Sequence, residues 1–288
     1  MARCRQSLHI APVLLSTVNF LPPTFNSHLS TFNYLCPMYT LKKSLGQHFL
    51  KDENIIRKIV EALTASPFTQ LLEIGPGGGA LTKSLIQLPH IDFKAVELDT
   101  EKVAYLLKTY PVLEGKIINE NFLTINPPFE GAFTVVGNFP YNISTEILFK
   151  ILDWKADVPV VIGMFQKEVA QRLAAKEGNK IYGVISVLMQ AYYDIEYLFD
   201  VNPQCFVPPP KVMSGVIRLH RKLATEPVKS ERMFTVLVKT AFNQRRKQLR
   251  NAVKSLFDTD VLQEPIFERR AETLTVADFA ALTFKMRS

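Results

Sequence analysis

Val135-Val136-Gly137-Asn138-Phe139-Pro140-Tyr141-Asn142-Ile143-Ser144-Thr145 is an apolar run that ends abruptly in an Asn, a Pro and a Tyr. Val135 and Val136 read as the end of a buried strand, and Ser144 or Thr145 as the cap of the helix that follows. A strand that hands over to a helix in this way belongs to an α/β sheet. Sheets of that class bind ligands beyond the carboxyl ends of their strands. Asn138, Pro140 and Tyr141 therefore stand where a site is expected.

Asn, Pro and Tyr after a strand are also ordinary turn vocabulary, so the turn gains weight from what surrounds it. Upstream, Gln70-Leu71-Leu72-Glu73-Ile74-Gly75-Pro76-Gly77-Gly78-Gly79-Ala80-Leu81-Thr82 reads as a buried strand, a glycine-rich turn and a helix start. The glycines let backbone approach a ligand, and Glu73 sets a carboxylate beside the turn. A second strand over 93–97 ends in Glu97, about twenty residues on, where a carboxylate holds a ribose diol. Asp99 then caps a helix whose apolar face is Val103, Leu106 and Leu107. A third strand over 116–119 leads to Asn121, an acceptor for an adenine amino group, and Phe122, a flat surface for its ring. Glycine turn, ribose acid, adenine acceptor and Asn-x-Pro-Tyr follow in the order that a nucleoside-bearing cofactor demands.

The chemistry that suits Asn138-Phe139-Pro140-Tyr141 is methyl transfer to a planar exocyclic amine. The lone pair of such an amine is delocalised into its ring, so the nitrogen is a poor nucleophile until acceptors hold its hydrogens. The side-chain oxygen of Asn138 and the carbonyl of Phe139 or Pro140 are candidate acceptors in a turn that proline restricts. Tyr141 offers a face for the base. Positioning supplies much of the rate, with reacting atoms about 3–3.5 Å apart, and no general base is needed beside the nitrogen.

Further elements extend both ways. A helix capped near Asp52 runs through Ile55, Ile56, Ile59, Val60 and Leu63 and is closed by Pro67. Before it, Gly46 and Gln47 beside His48 suggest backbone held close to a ligand. After the turn come a helix over 145–152, a strand over 158–164, a helix through Val169 and Leu173, and a loop with Lys176, Lys180 and Tyr182. A buried helix over 182–193 and strands near 192–201 and 215–219 complete the sheet. Between those strands, Cys205-Phe206-Val207-Pro208-Pro209-Pro210-Lys211-Val212 is held extended by its prolines. Flipping a base costs a few kcal/mol and one aromatic stack returns roughly 1–3 kcal/mol. Phe206 opposite Tyr141 would close a two-sided clamp, with core packing the alternative role for Phe206.

The 288 residues, 47% hydrophobic and 21% charged, suit one large α/β domain and a smaller companion. The net charge of +7 is uneven. Residues 1–51 carry five Lys/Arg and no Asp/Glu, 52–220 carry 15 against 19, and 221–288 carry 14 against 8. The basic C-terminal part points to a polyanionic partner. Its pattern is helical over 233–242, 246–256 and 277–284. Asn243-Gln244-Arg245-Arg246-Lys247-Gln248-Leu249-Arg250 is a basic cluster with amide donors, suited to an RNA backbone. Cys4, Cys36 and Cys205 have no metal-ligand spacing and their odd number argues against a disulfide framework, so a reducing compartment and no metal are expected. Residues 1–37 lack acids and sustained period. A secretory signal over 8–21, an organellar transit peptide and an upstream extension with translation starting at Met38 all compete. Pro12, Pro22 and Pro23 weigh against the first and against a membrane span, and the paucity of arginine against the second.

Together these motifs resemble the KsgA/RsmA/Dim1 family, the small-subunit ribosomal RNA adenine dimethyltransferases. The resemblance rests on Leu45-Gly46-Gln47-His48-Phe49-Leu50, Glu73-Ile74-Gly75-Pro76-Gly77, Glu97-Leu98-Asp99, Asn138-Phe139-Pro140-Tyr141-Asn142-Ile143-Ser144, Phe206-Val207-Pro208-Pro209-Pro210-Lys211-Val212 and Phe242-Asn243-Gln244-Arg245-Arg246-Lys247. It implies an α/β fold, a Rossmann-like S-adenosyl-L-methionine-dependent methyltransferase sheet with a small C-terminal all-helical domain. The implied division is an extension over 1–37, a catalytic domain over 38–220 and an RNA-contacting helical domain over 221–288. By the same resemblance His48, Leu50, Gly75, Glu97, Asn121 and Asn138 contact the donor, Asn138 and Pro140 orient the target amine, and Tyr141 and Phe206 stack on the base. The implied activity is dimethylation of two adjacent adenines near the 3′ end of 16S rRNA in the pre-ribosomal small subunit, by a cytoplasmic monomer, or an organellar one if residues 1–37 are a transit peptide. At Asn121 the family usually has Asp, so the adenine acceptor here is neutral. Two rivals are a macrolide-resistance methyltransferase of large-subunit rRNA, disfavoured by the Phe206 and Asn243 motifs, and an RNA-binding assembly or transcription factor, disfavoured by the intact Asn-x-Pro-Tyr.

Overall fold

The computed structural model describes residues 48–287. The expected extension over 1–37, Met38 and the Leu45–Gln47 part of the first motif lie outside the described residues.

In chain order the elements are β1 (Phe49–Leu50), α1 (Glu53–Thr64), β2 (Gln70–Ile74), α2 (Thr82–Leu85), β3 (Asp92–Val96), α3 (Thr100–Thr109), β4 (Ile117–Ile118), β5 (Thr134–Asn138), α4 (Ser144–Asp153), β6 (Val160–Gln166), α5 (Lys167–Ala174), α6 (Val184–Gln190), β7 (Tyr193–Val201), β8 (Phe206–Val207) and β9 (Ser214–Arg221). After β9 come α7 (Glu231–Asn243), α8 (Leu249–Val253) and α9 (Val276–Thr283), joined by short 3-10 turns.

Seven strands form one sheet in the order β4-β3-β2-β5-β6-β9-β7. The first five run parallel, and β9 lies antiparallel between β6 and β7. Strands covered on both faces read as continuous apolar runs, and successive residues serve opposite sides. Leu71 and Val136 pack with Ile56, Ile59 and Leu63 of α1 and Leu106 of α3, whereas Leu72 and Val135 pack with Ile147, Leu148 and Ile151 of α4 and Leu173 of α5. Each fully buried Leu, Ile or Val stabilises by roughly 1.5–3 kcal/mol, and a one-residue slip of register would send each to the wrong layer.

Chain order runs outward from β2 to β4 on one side, then returns to β5 and continues outward on the other. The switch point lies between β2 and β5, where open α/β sheets bind ligands. Polar residues fix the entry of the flanking helices. Asp52 accepts from the amides of Asn54 at 2.9 Å and Ile55 at 3.2 Å, and Asp99 from that of Glu101 at 3.2 Å, as expected of N-caps.

Several boundaries differ from the sequence reading. Ile143 occupies the cap of α4 and Ser144 its first turn, with no side-chain capping bond. The helix expected over 182–193 stops at Gln190, because Tyr193 is drawn into β7 opposite Arg221. The helix expected over 246–256 shrinks to Leu249–Val253. Phe234, Leu237 and Val238 of α7, Val253 of α8 and Phe279 of α9 share an apolar cluster with Val187 and Leu188 of α6, so the helical part is built onto the sheet's own layer.

Candidate active site

A cleft opens at the carboxyl ends of β2, β3 and β5, walled by the glycine turn, Glu97, Asn121 and the Asn138–Ile143 turn. Gly75 and Gly77 adopt φ of +68° and +57°, a backbone region that favours glycine. A Cβ on Gly77 would also stand 3.0 Å from the Phe49 ring. The turn therefore brings bare backbone to the cleft.

Glu97 closes the end of β3. Its Oε2 accepts from the Gly77 amide and its Oε1 from the Asp99 amide, both at 3.0 Å. Each carboxylate oxygen keeps further lone-pair capacity, so the group is fixed in place yet able to accept from a vicinal diol. Asn119 ties the same corner by donating to the carbonyls of Glu97 at 2.8 Å and Leu98 at 3.3 Å. Asn121 accepts from the Leu123 amide through Oδ1 at 3.0 Å, which sets the side chain at the cleft wall. The arrangement presents a fixed diol acceptor beside an amide, with the apolar Val96, Leu98 and Phe122 around them. These groups fit a nucleoside-bearing donor.

Beneath the glycine turn, Glu73 is buried at 1% exposure and accepts from the Thr82 hydroxyl at 2.7 Å. Burial, opposed by the Thr82 bond and helped by the Glu97 charge, pushes its carboxyl up to about 8.

On the other wall, the Asn138 side-chain nitrogen donates to the His48 carbonyl at 3.0 Å, which leaves Oδ1 as an acceptor with no partner among the described residues. The Pro140 carbonyl accepts from the Ile143 amide at 3.2 Å, within the turn. A carbonyl oxygen has two lone pairs, so of the two carbonyls offered by the sequence Phe139 is the more open, and Pro140 keeps one lone pair for the role expected of it. The Tyr141 hydroxyl is bonded to Ser214 Oγ, and its ring lies 5.7 Å from that of His48 at 31°. Burial, opposed by the Ser214 bond, raises the Tyr141 phenol above its usual range, so the ring is neutral at physiological pH. His48 is held in turn by its Nδ1 at 2.8 Å from the Pro208 carbonyl.

Two further expectations change. Phe206, expected to face Tyr141, is 1% exposed and packs in the apolar cluster of Leu50, Met164, Val201 and Val216. Its segment pairs as β8 with β1, Leu50 opposite Phe206, so the proline run turns that ring inward. Leu50 is likewise buried in the cluster and does not wall the cleft; its neighbour Phe49 does. Cleft and turn thus collect His48, Gly75, Glu97, Asn121, Asn138, Pro140 and Tyr141, and exclude Leu50 and Phe206. Phe49 and Ser214 were missed. Phe49 sits within a motif already singled out, whereas nothing in the sequence links Ser214 to Tyr141.

The profile of ribosomal RNA adenine dimethylases matches residues 38–285. The chain belongs to the ribosomal RNA adenine dimethylase family. It is similar to the ribosomal RNA small subunit methyltransferase A of Cytophaga hutchinsonii, 51% identical over 246 residues that cover 84% of this chain and 95% of the relative. The protein of the same name from Flavobacterium johnsoniae is 49% identical over 251 residues, 86% of this chain and 96% of that one. Among solved structures, a dimethyladenosine transferase from Plasmodium falciparum superposes with a TM-score of 0.66 at 24% identity, over 81% of this chain and 94% of that one. The 23S rRNA methyltransferase ErmE gives 0.58 at 22% identity, over 81% and 99%. Both share the Rossmann-like fold. As a ribosomal RNA adenine dimethylase the chain is an rRNA methyltransferase, and family and fold imply S-adenosyl-L-methionine as donor.

Within the dimethylase's basic C-terminal cluster, the cations divide. Arg245 reaches Glu272 at 3.1 Å and the Asn179 and Lys180 carbonyls, and Arg250 reaches Glu268 at 2.9 Å. Arg246 and Lys247 are exposed and have no ion pair among the described residues. Among the described residues no helix is long and apolar enough to cross a membrane, and no group of three or more His, Cys, Asp or Glu gathers as metal ligands.

Proposed function

We propose that this chain dimethylates the N6 amino groups of two adjacent adenines near the 3′ end of 16S rRNA, acting on the pre-ribosomal small subunit. The observation that carries the reading is the pinning of the Asn138 amide by the His48 carbonyl. It supports a role for Oδ1 in accepting one hydrogen of the target amine, with the Phe139 carbonyl accepting the other. Held by two acceptors, the nitrogen lone pair turns out of conjugation and toward the donor. Tyr141, fixed by Ser214, carries the base on its ring.

Glu97 would hold the ribose hydroxyls, Asn121 the adenine amine and the Gly75–Gly77 turn the amino-acid part of the donor, with His48 and Asn138 lining its methyl end. S-adenosyl-L-methionine supplies an electrophilic methyl on a sulfonium. The amine held by Asn138 Oδ1 and the Phe139 carbonyl would receive that methyl, and the proton it sheds would leave to water. Dimethylation asks for the step twice, and a monomethylated amine keeps one hydrogen for one acceptor. Residues 38–220 would form the catalytic domain and 221–288 the RNA-contacting one, with Arg246 and Lys247 on phosphates. The rRNA relatives favour a cytoplasmic setting.

Asn138→Ala tests the reading. Methylation should vanish while RNA binding stays; a variant that still methylates would remove Asn138 from the mechanism.

A further inference from the structure

Beside the catalytic cleft a second hollow opens at the end of β6 and the start of α5, lined by Gln166, Lys167, Glu168, Gln171, Val212 and Met213. We propose that it is a base subsite, which takes the nucleotide next to the target adenine along the RNA and holds that base's edge through the amides of Gln166 and Gln171. The inference rests on the function proposed above.

The hollow is tied to the target-base wall through the sheet. Gln166 lies opposite Ser214 in the β6–β9 register, and Ser214 Oγ is the partner of the Tyr141 hydroxyl. The Lys167 amide donates to the Met213 carbonyl at 2.9 Å, which ties the start of α5 to the segment that enters β9. Ser214 itself is buried, so an RNA strand whose base lies on Tyr141 reaches the hollow over the half-buried Met213 and the exposed Val212.

Charge decides between a phosphate and a base. Lys167 Nζ is 2.5 Å from Asp200 Oδ2, and Arg172 of α5 stands 2.6 Å from Glu168. With the Glu168 carboxylate in its lining and its one lysine already paired with Asp200, the lining lacks the unpaired cation that a phosphate needs. What remains uncommitted is amide and apolar surface. Neither the Gln166 nor the Gln171 side chain has a hydrogen-bond partner among the described residues, and each amide offers both donor and acceptor, the pattern of a base edge. Val212, 45% exposed, and the half-buried Met213 supply an apolar wall for the base's face. Unstacked RNA bases are read in this manner, by edge hydrogen bonds and a face contact.

The experiment compares the full chain and its Gln171→Ala variant on three small-subunit rRNAs assembled into particles: intact, abasic one nucleotide 5′ of the target adenine, and abasic one nucleotide 3′ of it. Gln171 is exposed on α5, so the variant should fold and bind the donor as the parent does. Loss of base-edge bonds should lower kcat/KM on intact RNA by about tenfold. The parent should lose a similar factor on one abasic RNA, and the variant should lose nothing further on that RNA. Equal activity of parent and variant on all three RNAs, or losses that multiply, would overturn the subsite. Methylation of intact RNA by the parent is scored in the same series, so a failure of the proposed function shows there on its own.

Discussion

Glu73→Gln isolates a carboxyl that the fold keeps buried under the glycine turn. In the folded chain its pKa is raised from 4.5 to about 8, through burial first. The folded protein therefore holds a proton that the unfolded chain releases above pH 4.5. The stability that neutral Glu73 contributes is complete below pH 4.5 and is lost as pH rises toward 8. At about 1.36 kcal/mol per pH unit, the loss reaches roughly 3 kcal/mol by pH 7 and levels off near 5 kcal/mol above pH 8. That is a large share of a typical folding free energy of about 5–15 kcal/mol. Glutamine has the same shape, can keep the Thr82 contact and does not titrate. Urea unfolding of parent and variant at pH 5, 6, 7 and 8 should show the parent's midpoint falling with pH and the variant's curve flatter, so that the substitution becomes relatively more stabilising as pH rises. Parallel curves across the range would refute the reasoning.

Other consequences concern the site. Asn121→Asp keeps the turn bond to the Leu123 amide and makes the adenine acceptor charged; donor affinity by calorimetry should rise by about 0.5–1.5 kcal/mol. Tyr141→Ala removes the ring proposed to carry the base and should slow single-turnover methylation by an amount equivalent to roughly 1–3 kcal/mol, whereas Tyr141→Phe, which loses only the Ser214 bond, should retain most of the rate. Arg246→Ala and Lys247→Ala should each weaken RNA binding and lower the salt slope by about one. Arg245→Ala, at a side chain already paired with Glu272, should cost thermal stability and leave that slope nearly unchanged.

How much was legible follows from how local each feature is. The order of strands and helices could be read because Val135, Val136, Leu71 and Leu72 sit in short apolar runs bounded by turns, and Asp52 and Asp99 announce their helices. Gly75, Glu97, Asn121, Asn138, Pro140 and Tyr141 were legible because each stands at or just past a strand end, where the α/β architecture puts ligands, and His48 because Gly46 and Gln47 stand beside it. The inward turn of Phe206 was not, because it is set by pairing with Leu50 far away in the chain. The shortened α8 has the same kind of cause: Arg245 is drawn to Glu272 and to the carbonyls of Asn179 and Lys180, and the chain turns there although its residues favour helix. That the Pro140 carbonyl already accepts from the Ile143 amide is a single bond that no composition reveals.

The most direct test of the account is methyl incorporation from labelled S-adenosyl-L-methionine into unmodified small-subunit particles, followed by mass mapping of the RNA. The parent chain should yield two neighbouring dimethyladenosines near the 3′ end, and Asn138→Ala should yield none while still binding the particle. Incorporation elsewhere in the RNA, or none by a parent chain that binds both donor and particle, would contradict it.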